Sequence, residues 1–302
     1  MKRALVLMLM PATAFAAQPE PSALREKEIS VPGFADFLAV DGDTVWTTND
    51  GRVEQWSTSA KKAEVAVPRP CGAMTMAFGS LWVANCKGGE VYRIDPKAAK
   101  LLAKIPAGIG PSGELNVVAG AGSIWAPSQT AGKIVRIDPA TDKVVATIDA
   151  APDTSYMAFG FNALWAASGK AETLQRIDPK TDAVSHTVKL GKQPGFLAAG
   201  EGGVWVQEQG DGTVARIDPA TVMVTARVKV GKTLTYGDID TGGGFVWLRT
   251  TEDQTFAAID AKSLAVVTRA GKPAGSGALR YTPAGIWTTA HDVHTLSWWS
   301  AP

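Results

Sequence analysis

Seven tryptophans return along this chain at a nearly constant interval, and that interval constrains the fold more than any other feature. They are Trp46, Trp82, Trp125, Trp165, Trp205, Trp247 and Trp287, spaced by 36, 43, 40, 40, 42 and 40 residues. Thirteen residues after five of them stands an aspartate: Asp95, Asp138, Asp178, Asp218 and Asp260. The surrounding text repeats as well, as YRIDPKAAK, VRIDPATDK, QRIDPKTDA, ARIDPATVM and AAIDAKSLA. A period near forty residues marks a supersecondary unit that cannot bury its apolar faces alone and must stack on copies of itself.

Each unit reads as four short strands. Residues 74–78 (MTMAF) lead through a tight Gly79-Ser80 turn into LWVAN, and a polar loop leads on to EVYRI. Asp95-Pro96 closes the next turn, where the carboxylate can accept a backbone bond two residues on and proline presets φ. LLAKI then runs to Pro106 and Gly108. No stretch has sustained helical periodicity. Four strands per repeat, stacked around an axis, predict an all-β fold: a seven-bladed β-propeller. After Trp287 only one further strand fits, about 294–300, so the last blade lacks its fourth. The segment 26–31 (EKEISV) resembles the outer strands elsewhere and is predicted to complete that blade, which removes a free edge.

The first residues carry Lys2 and Arg3, an apolar run from Ala4 to Met10, and Ala14-Phe15-Ala16. This is the layout of a secretory signal peptide cleaved after Ala16, too short to span a bilayer, and it predicts export to the periplasm. Residues 17–302 then form a single propeller domain. Loss of Lys2 and Arg3 leaves 28 basic against 29 acidic residues, a balance that argues against a nucleic-acid partner. No later stretch is apolar enough for a membrane anchor, and a monomer is expected. In an oxidising compartment two cysteines favour a disulfide. With a hairpin tip near Gly79-Ser80, positions summing to about 157 face each other, and Cys71 and Cys86 do.

The repeat text resembles the YVTN-type propeller repeat and is similar to that of the virginiamycin B (streptogramin) lyase family, over about residues 34 to 299. The resemblance implies an active site at the mouth of the central channel. In that family a histidine ten residues before a blade tryptophan is catalytic, and acidic residues hold a magnesium ion. The positions ten before each tryptophan here are Asp36, Gly72, Leu115, Ser155, Gly195, Gly237 and Gly277, with no histidine among them. Three residues after the tryptophan, where the family has glutamate, stand Asn49, Asn85, Ser128, Ser168, Glu208, Thr250 and Ala290; Glu208 alone matches.

Among the three histidines, His186 falls on an outer strand, while His291 and His294 follow Trp287 on the presumed channel side. His291 is therefore the candidate base, since imidazole suits proton transfer near neutral pH. Glu208 is its catalytic companion and, with Asp238, a candidate ligand for magnesium or calcium, hard ions that favour oxygen donors. Asp36, Glu114, Glu252 and Asp292 belong to the same acidic rim. Tyr236, Arg249, Arg280, Asn85 and Asn49 are candidate ligand-binding residues, arginine beside an aromatic ring being suited to an anionic or planar ligand. The blade tryptophans and the RIDP arginines repeat with the fold and read as structural. Two functions remain open: an enzyme opening a lactone or eliminating across a C–O bond in a small molecule or short polymer, and a non-catalytic binding or scaffold propeller of the cell envelope.

Overall fold

The computed structural model describes residues 21–110, 113–128, 132–250 and 252–302. The proposed signal peptide lies outside them. Seven four-stranded antiparallel sheets follow one another around a central axis. Blade 1 comprises Leu38–Asp41, Thr44–Asn49, Arg52–Trp56 and Lys61–Ala66, and blades 2 to 6 repeat that order of four consecutive strands. Blade 7 is built from Leu279–Thr282, Gly285–Ala290 and Thr295–Ser300, with Arg25–Ser30 as its outer strand. Its register runs from Arg25 opposite Ser300 to Ser30 opposite Thr295. The ring is thus closed by the first strand of the described chain, as the sequence predicts. No described helix is long and apolar enough to cross a membrane.

The repeat has a physical cause in each of its conserved offsets. The tryptophan sits on the second strand of its blade and is fully enclosed between neighbouring sheets. In five blades its indole N–H donates to the backbone oxygen five residues earlier, at 2.9–3.1 Å, so the one polar atom of a buried ring is satisfied. The RIDP arginine opposite lies over that ring, 5.2 Å from the centroid for Arg93 on Trp82 and 5.0 Å for Arg136 on Trp125. The same guanidinia reach the next blade, Arg93 to Asp142 and the Pro139 carbonyl, Arg136 to Asp182 and the Pro179 carbonyl. The RIDP aspartate caps its turn, as Asp95 does by accepting from the amides of Lys97 and Ala98. These residues are structural.

In blade 2 the hairpin turn is formed by Phe78 and Gly79, both with positive φ, and Ser80 already belongs to the second strand. Ala77 faces Ser80 and Thr75 faces Trp82, the register expected. Cys71 and Cys86 are bonded, their Cα atoms 5.9 Å apart. Instead of one continuous inner strand, this blade has a break after Ala73, and Gly72–Ala73 pairs in parallel with Leu115–Asn116 of the neighbouring repeat. Of the two adjacent tryptophans near the end of the chain, Trp298 lies against Trp287 and Trp299 meets the edge of Phe256.

Candidate functional site

Nine residues before each blade tryptophan, at or just ahead of the innermost strand, stand Phe37, Ala73, Asn116, Tyr156, Phe196, Asp238 and Ala278. Three are aromatic, and they come from blades 1, 4 and 5. Tyr156 and Phe196 have ring centroids 4.0 Å apart, and Phe37 stands 6.3 Å from Phe196. Phe37 and Phe196 are buried, so the channel has an aromatic floor rather than an open bore. The Tyr156 hydroxyl donates to Glu114 at 2.9 Å. Burial and that neighbouring carboxylate push its pKa well above the usual phenol range, and the ring stays neutral.

Two depressions open above this floor. One, of about 640 Å³, is lined by Tyr156, Phe196, Tyr236, Gln193, Gln209 and Lys170. The other, of about 310 Å³, is lined by Phe34, Asp36, Phe37 and Arg69, and the two meet at Gly113 and Glu114. Tyr236 is 72% exposed and has φ of 61°, a left-handed backbone that presents its ring on the rim.

A group of charges stands beside the smaller depression. Arg249 is fully buried and donates through Nε to the Thr289 carbonyl at 2.9 Å and through Nη1 to the carbonyls of Thr250 and Thr255. Its Nη2 has no partner among the described residues. Desolvation lowers its pKa to about 10, so it remains a cation. Asp36 is pushed up to about 8, first by burial and then by Glu114 and Asp238. His291 stacks on Phe34, centroids 3.9 Å apart. Its Nδ1 lies 3.1 Å from Asp292 but is not aligned for a hydrogen bond. Burial lowers its pKa, so the ring is neutral near pH 7. His291 thus lies among mouth charges, next to Phe34 and Asp292 and within the field of Arg249 and Glu114.

The other candidates are committed to contacts of their own. Glu208 is enclosed within blade 5, and its oxygens accept from the Gly191 amide at 2.7 Å, Thr213 Oγ1 at 2.7 Å and Arg227 Nε at 3.0 Å. It therefore pins the loop leading into its blade. Asn49 and Asn85 do the same work. Asn49 accepts from the Phe34 amide and donates to the Pro32 carbonyl, and Asn85 accepts from the Arg69 amide. Ser128 and Ser168 repeat the contact through the Gly108 and Pro152 carbonyls. The position three after the tryptophan fastens lead-in loops in all five of these blades, and Glu208 is the acidic version of that fastener. The hydrogen bonds of its carboxylate thus go to that loop and to Thr213 and Arg227.

Asp238 is likewise committed. It accepts from Arg280 at 2.5 Å and from the amides of Leu279 and Ile239, joining blades 6 and 7. Among the described residues no three His, Cys, Asp or Glu side chains are arranged to hold a metal ion. With the oxygens of Glu208 and Asp238 already occupied, this donor set does not suit magnesium or calcium. His186 is exposed on its outer strand beside Ser185, and the His294 ring meets the Gly33 carbonyl at 2.8 Å. The aromatic floor escaped the reading of the sequence, although comparing one fixed offset across the seven repeats displays it.

No family model matches this sequence, and no curated protein is significantly similar to it. Solved structures are similar in fold. Virginiamycin B lyase from Staphylococcus aureus superposes with a TM-score of 0.78 at 15% identity, over 92% of this chain and 99% of that one. A catalytically inactive histidine-to-alanine form of that lyase with quinupristin gives 0.77 at 15% identity, over the same shares of both chains. Kuenenia stuttgartiensis hydrazine synthase gives 0.74 at 14%, over 89% of this chain and 96% of that chain. The first two are virginiamycin B lyases, and the shared architecture is the seven-bladed propeller.

Proposed function

We propose that this chain is a ligand-binding propeller of the cell envelope, holding a small molecule or the end of a short polymer over the channel mouth. One observation carries the reading: Phe37, Tyr156 and Phe196 form an aromatic floor, and Tyr156 and Phe196 face a recess of about 640 Å³ that amide and charged side chains also line. Apolar surface with a few convergent polar groups is the usual composition of a small-molecule site. Propellers host unrelated functions, so the argument rests on the site and not on the fold.

The test is a fragment screen by protein-observed NMR on the wild type and on Phe196→Leu, which keeps most of the volume but removes the ring. Fragments that shift mouth resonances in the wild type should lose most of their affinity in the variant. Unchanged affinity, with native stability, overturns the reading. Export is tested separately by the N-terminal mass of protein recovered from a periplasmic fraction, expected to begin at Ala17.

A second reading, an eliminating or lactone-opening enzyme, is favoured by the neutral, largely enclosed His291 at the mouth. In it His291 is the base, and Glu208 and a divalent ion take no part. Turnover of cyclic depsipeptides or lactones that disappears in His291→Ala, at unchanged stability, is the result that establishes it.

A further inference from the structure

Four carboxylates are buried among the described residues, and three of them are fully engaged. Glu54 accepts from Arg52, Lys61, Trp56 and Asn49, Glu208 from Gly191, Thr213 and Arg227, and Asp238 from Arg280 and two backbone amides. Asp36 is the fourth. It is 8% exposed, and its carboxyl accepts no hydrogen bond from any described residue. Its backbone is fully bonded, the amide to the Thr48 carbonyl and the carbonyl to Thr289 Oγ1, so the side chain has no part in holding the strand. A largely enclosed carboxyl that opens on a depression and meets no donor among the described residues is available to a partner supplied from outside.

The surroundings specify that partner. Asp36 lines the 310 Å³ depression together with Phe34, Phe37, Asp50, Arg69 and Glu114. Phe34 is 47% exposed, and its ring is held by stacking on His291. Around Asp36 the field is acidic: Glu114 from the lead-in loop of blade 3, Asp238 from blade 6 and Asp292 from blade 7, against Arg249 of blade 6 and Arg69 on the wall. Asp238 is in part offset by Arg280. A carboxyl, further acids about it and the exposed ring of Phe34 together suit an organic cation.

Building on the ligand-binding reading, we propose that Asp36 is the anionic receptor for an ammonium group, and that the ligand of this propeller is an amine with an apolar body. The ammonium donates to the Asp36 carboxylate, and the adjoining carbon packs against Phe34 and Phe37. Binding then displaces the proton that burial and the neighbouring carboxylates keep on Asp36, so affinity rises with pH until the free protein has lost that proton by itself. The field of Arg249 holds this event close to neutral pH, while His291 remains uncharged.

The test uses three probes of one size, benzylammonium, benzyl alcohol and benzoate, titrated into the full chain by NMR at pH 6 and pH 8.5. The expected order is benzylammonium over benzyl alcohol by about tenfold at pH 8.5, a smaller preference at pH 6, and benzoate weakest. Asp36→Asn keeps shape and neutrality and should bind ammonium and alcohol equally at both pH values. An ammonium preference that survives in Asp36→Asn, or no preference in the wild type, overturns the amine assignment and leaves the ligand-binding reading standing. Failure of all three probes to shift mouth resonances overturns both.

Discussion

Arg136 of blade 3 and Asp182 of blade 4 meet at 3.0 Å, so a residue that covers its own blade's tryptophan also holds the next blade in place. Arg93 and Asp142 repeat the contact one junction earlier, at 2.9 Å. Forty residues beyond Asp182 the series breaks. Val222 stands there, with φ of 57°, and Arg176 turns instead to Ser185 in its own blade, leaving its Nε without a partner.

A β-branched residue in left-handed backbone is strained by about 1 kcal/mol or more, whereas aspartate and asparagine tolerate it. Val222→Asp should therefore restore the clamp between blades 4 and 5. The expected net gain is about 0.5–1 kcal/mol after the loss of valine burial, since partly exposed ion pairs add little. Val222→Asn relieves the backbone alone and should gain less. Thermal unfolding of the three proteins decides it, and a drop in melting temperature for both variants removes the clamp from the account of stability.

Glu208 is assigned to structure, and that has a measurable consequence. Glu208→Ala leaves the Gly191 amide and Thr213 without their acceptor and should cost about 2–3 kcal/mol. Arg227 is 46% exposed on its side chain, so it can turn to water and moderates the loss. Glu208→Gln should recover part of it. If chemical denaturation shows the alanine variant as stable as wild type, the fastening role is wrong.

The Cys71–Cys86 bond closes a loop of fifteen residues at the mouth. Constraining a loop of that length in the unfolded chain is worth about 3 kcal/mol. A Cys71→Ser, Cys86→Ser double variant should therefore lose about that much, measured against wild type without reductant. With reductant the two proteins should converge.

Asp36 gives a pH signature whose sign follows from the direction of its shift. Its pKa is about 8 in the fold against an ordinary 3.8, so the native state holds a proton that the unfolded chain releases. Its contribution to stability is complete below about pH 4 and is lost as pH rises toward 8. Asp36→Asn lacks this slope. The difference between the two proteins should be near zero at pH 4 and grow to the order of 5 kcal/mol in favour of the variant at pH 8.5. Parallel stability curves would show that Asp36 is ionised in the fold throughout.

The architecture was legible because its cause is periodic. A ring buried between sheets must recur wherever a sheet recurs, so Trp82, Arg93 and Asp95 announce the blade, its clamp and its turn in one line of text. The disulfide followed from a hairpin centre, and the closing strand from a count of strands left over. The site was not legible in the same way. Glu208 stands at a position whose side chain, in five blades, turns back onto the lead-in loop, and one matching residue type cannot reveal that direction. Asp36 was visible only as an acid on the rim. Its isolation depends on Thr48 and Thr289 satisfying the backbone around it, the latter a contact made from blade 7 and far away in the chain. Irregular residues carry the site, and irregularity has no period to read.

The pairing that completes blade 7 also fixes how the molecule answers to force. Arg25 faces Ser300 at the end of the antiparallel pair, so the chain enters and leaves at the same corner. Tension applied between the two ends does not slide the strands past each other. It peels them, loading one rung of the ladder at a time from Arg25 and Ser300 toward Ser30 and Thr295. A ring of seven sheets with an extensive core is therefore mechanically weakest at a single seam, and the first rupture in a pulling experiment should come at low force and release the strand Arg25–Ser30.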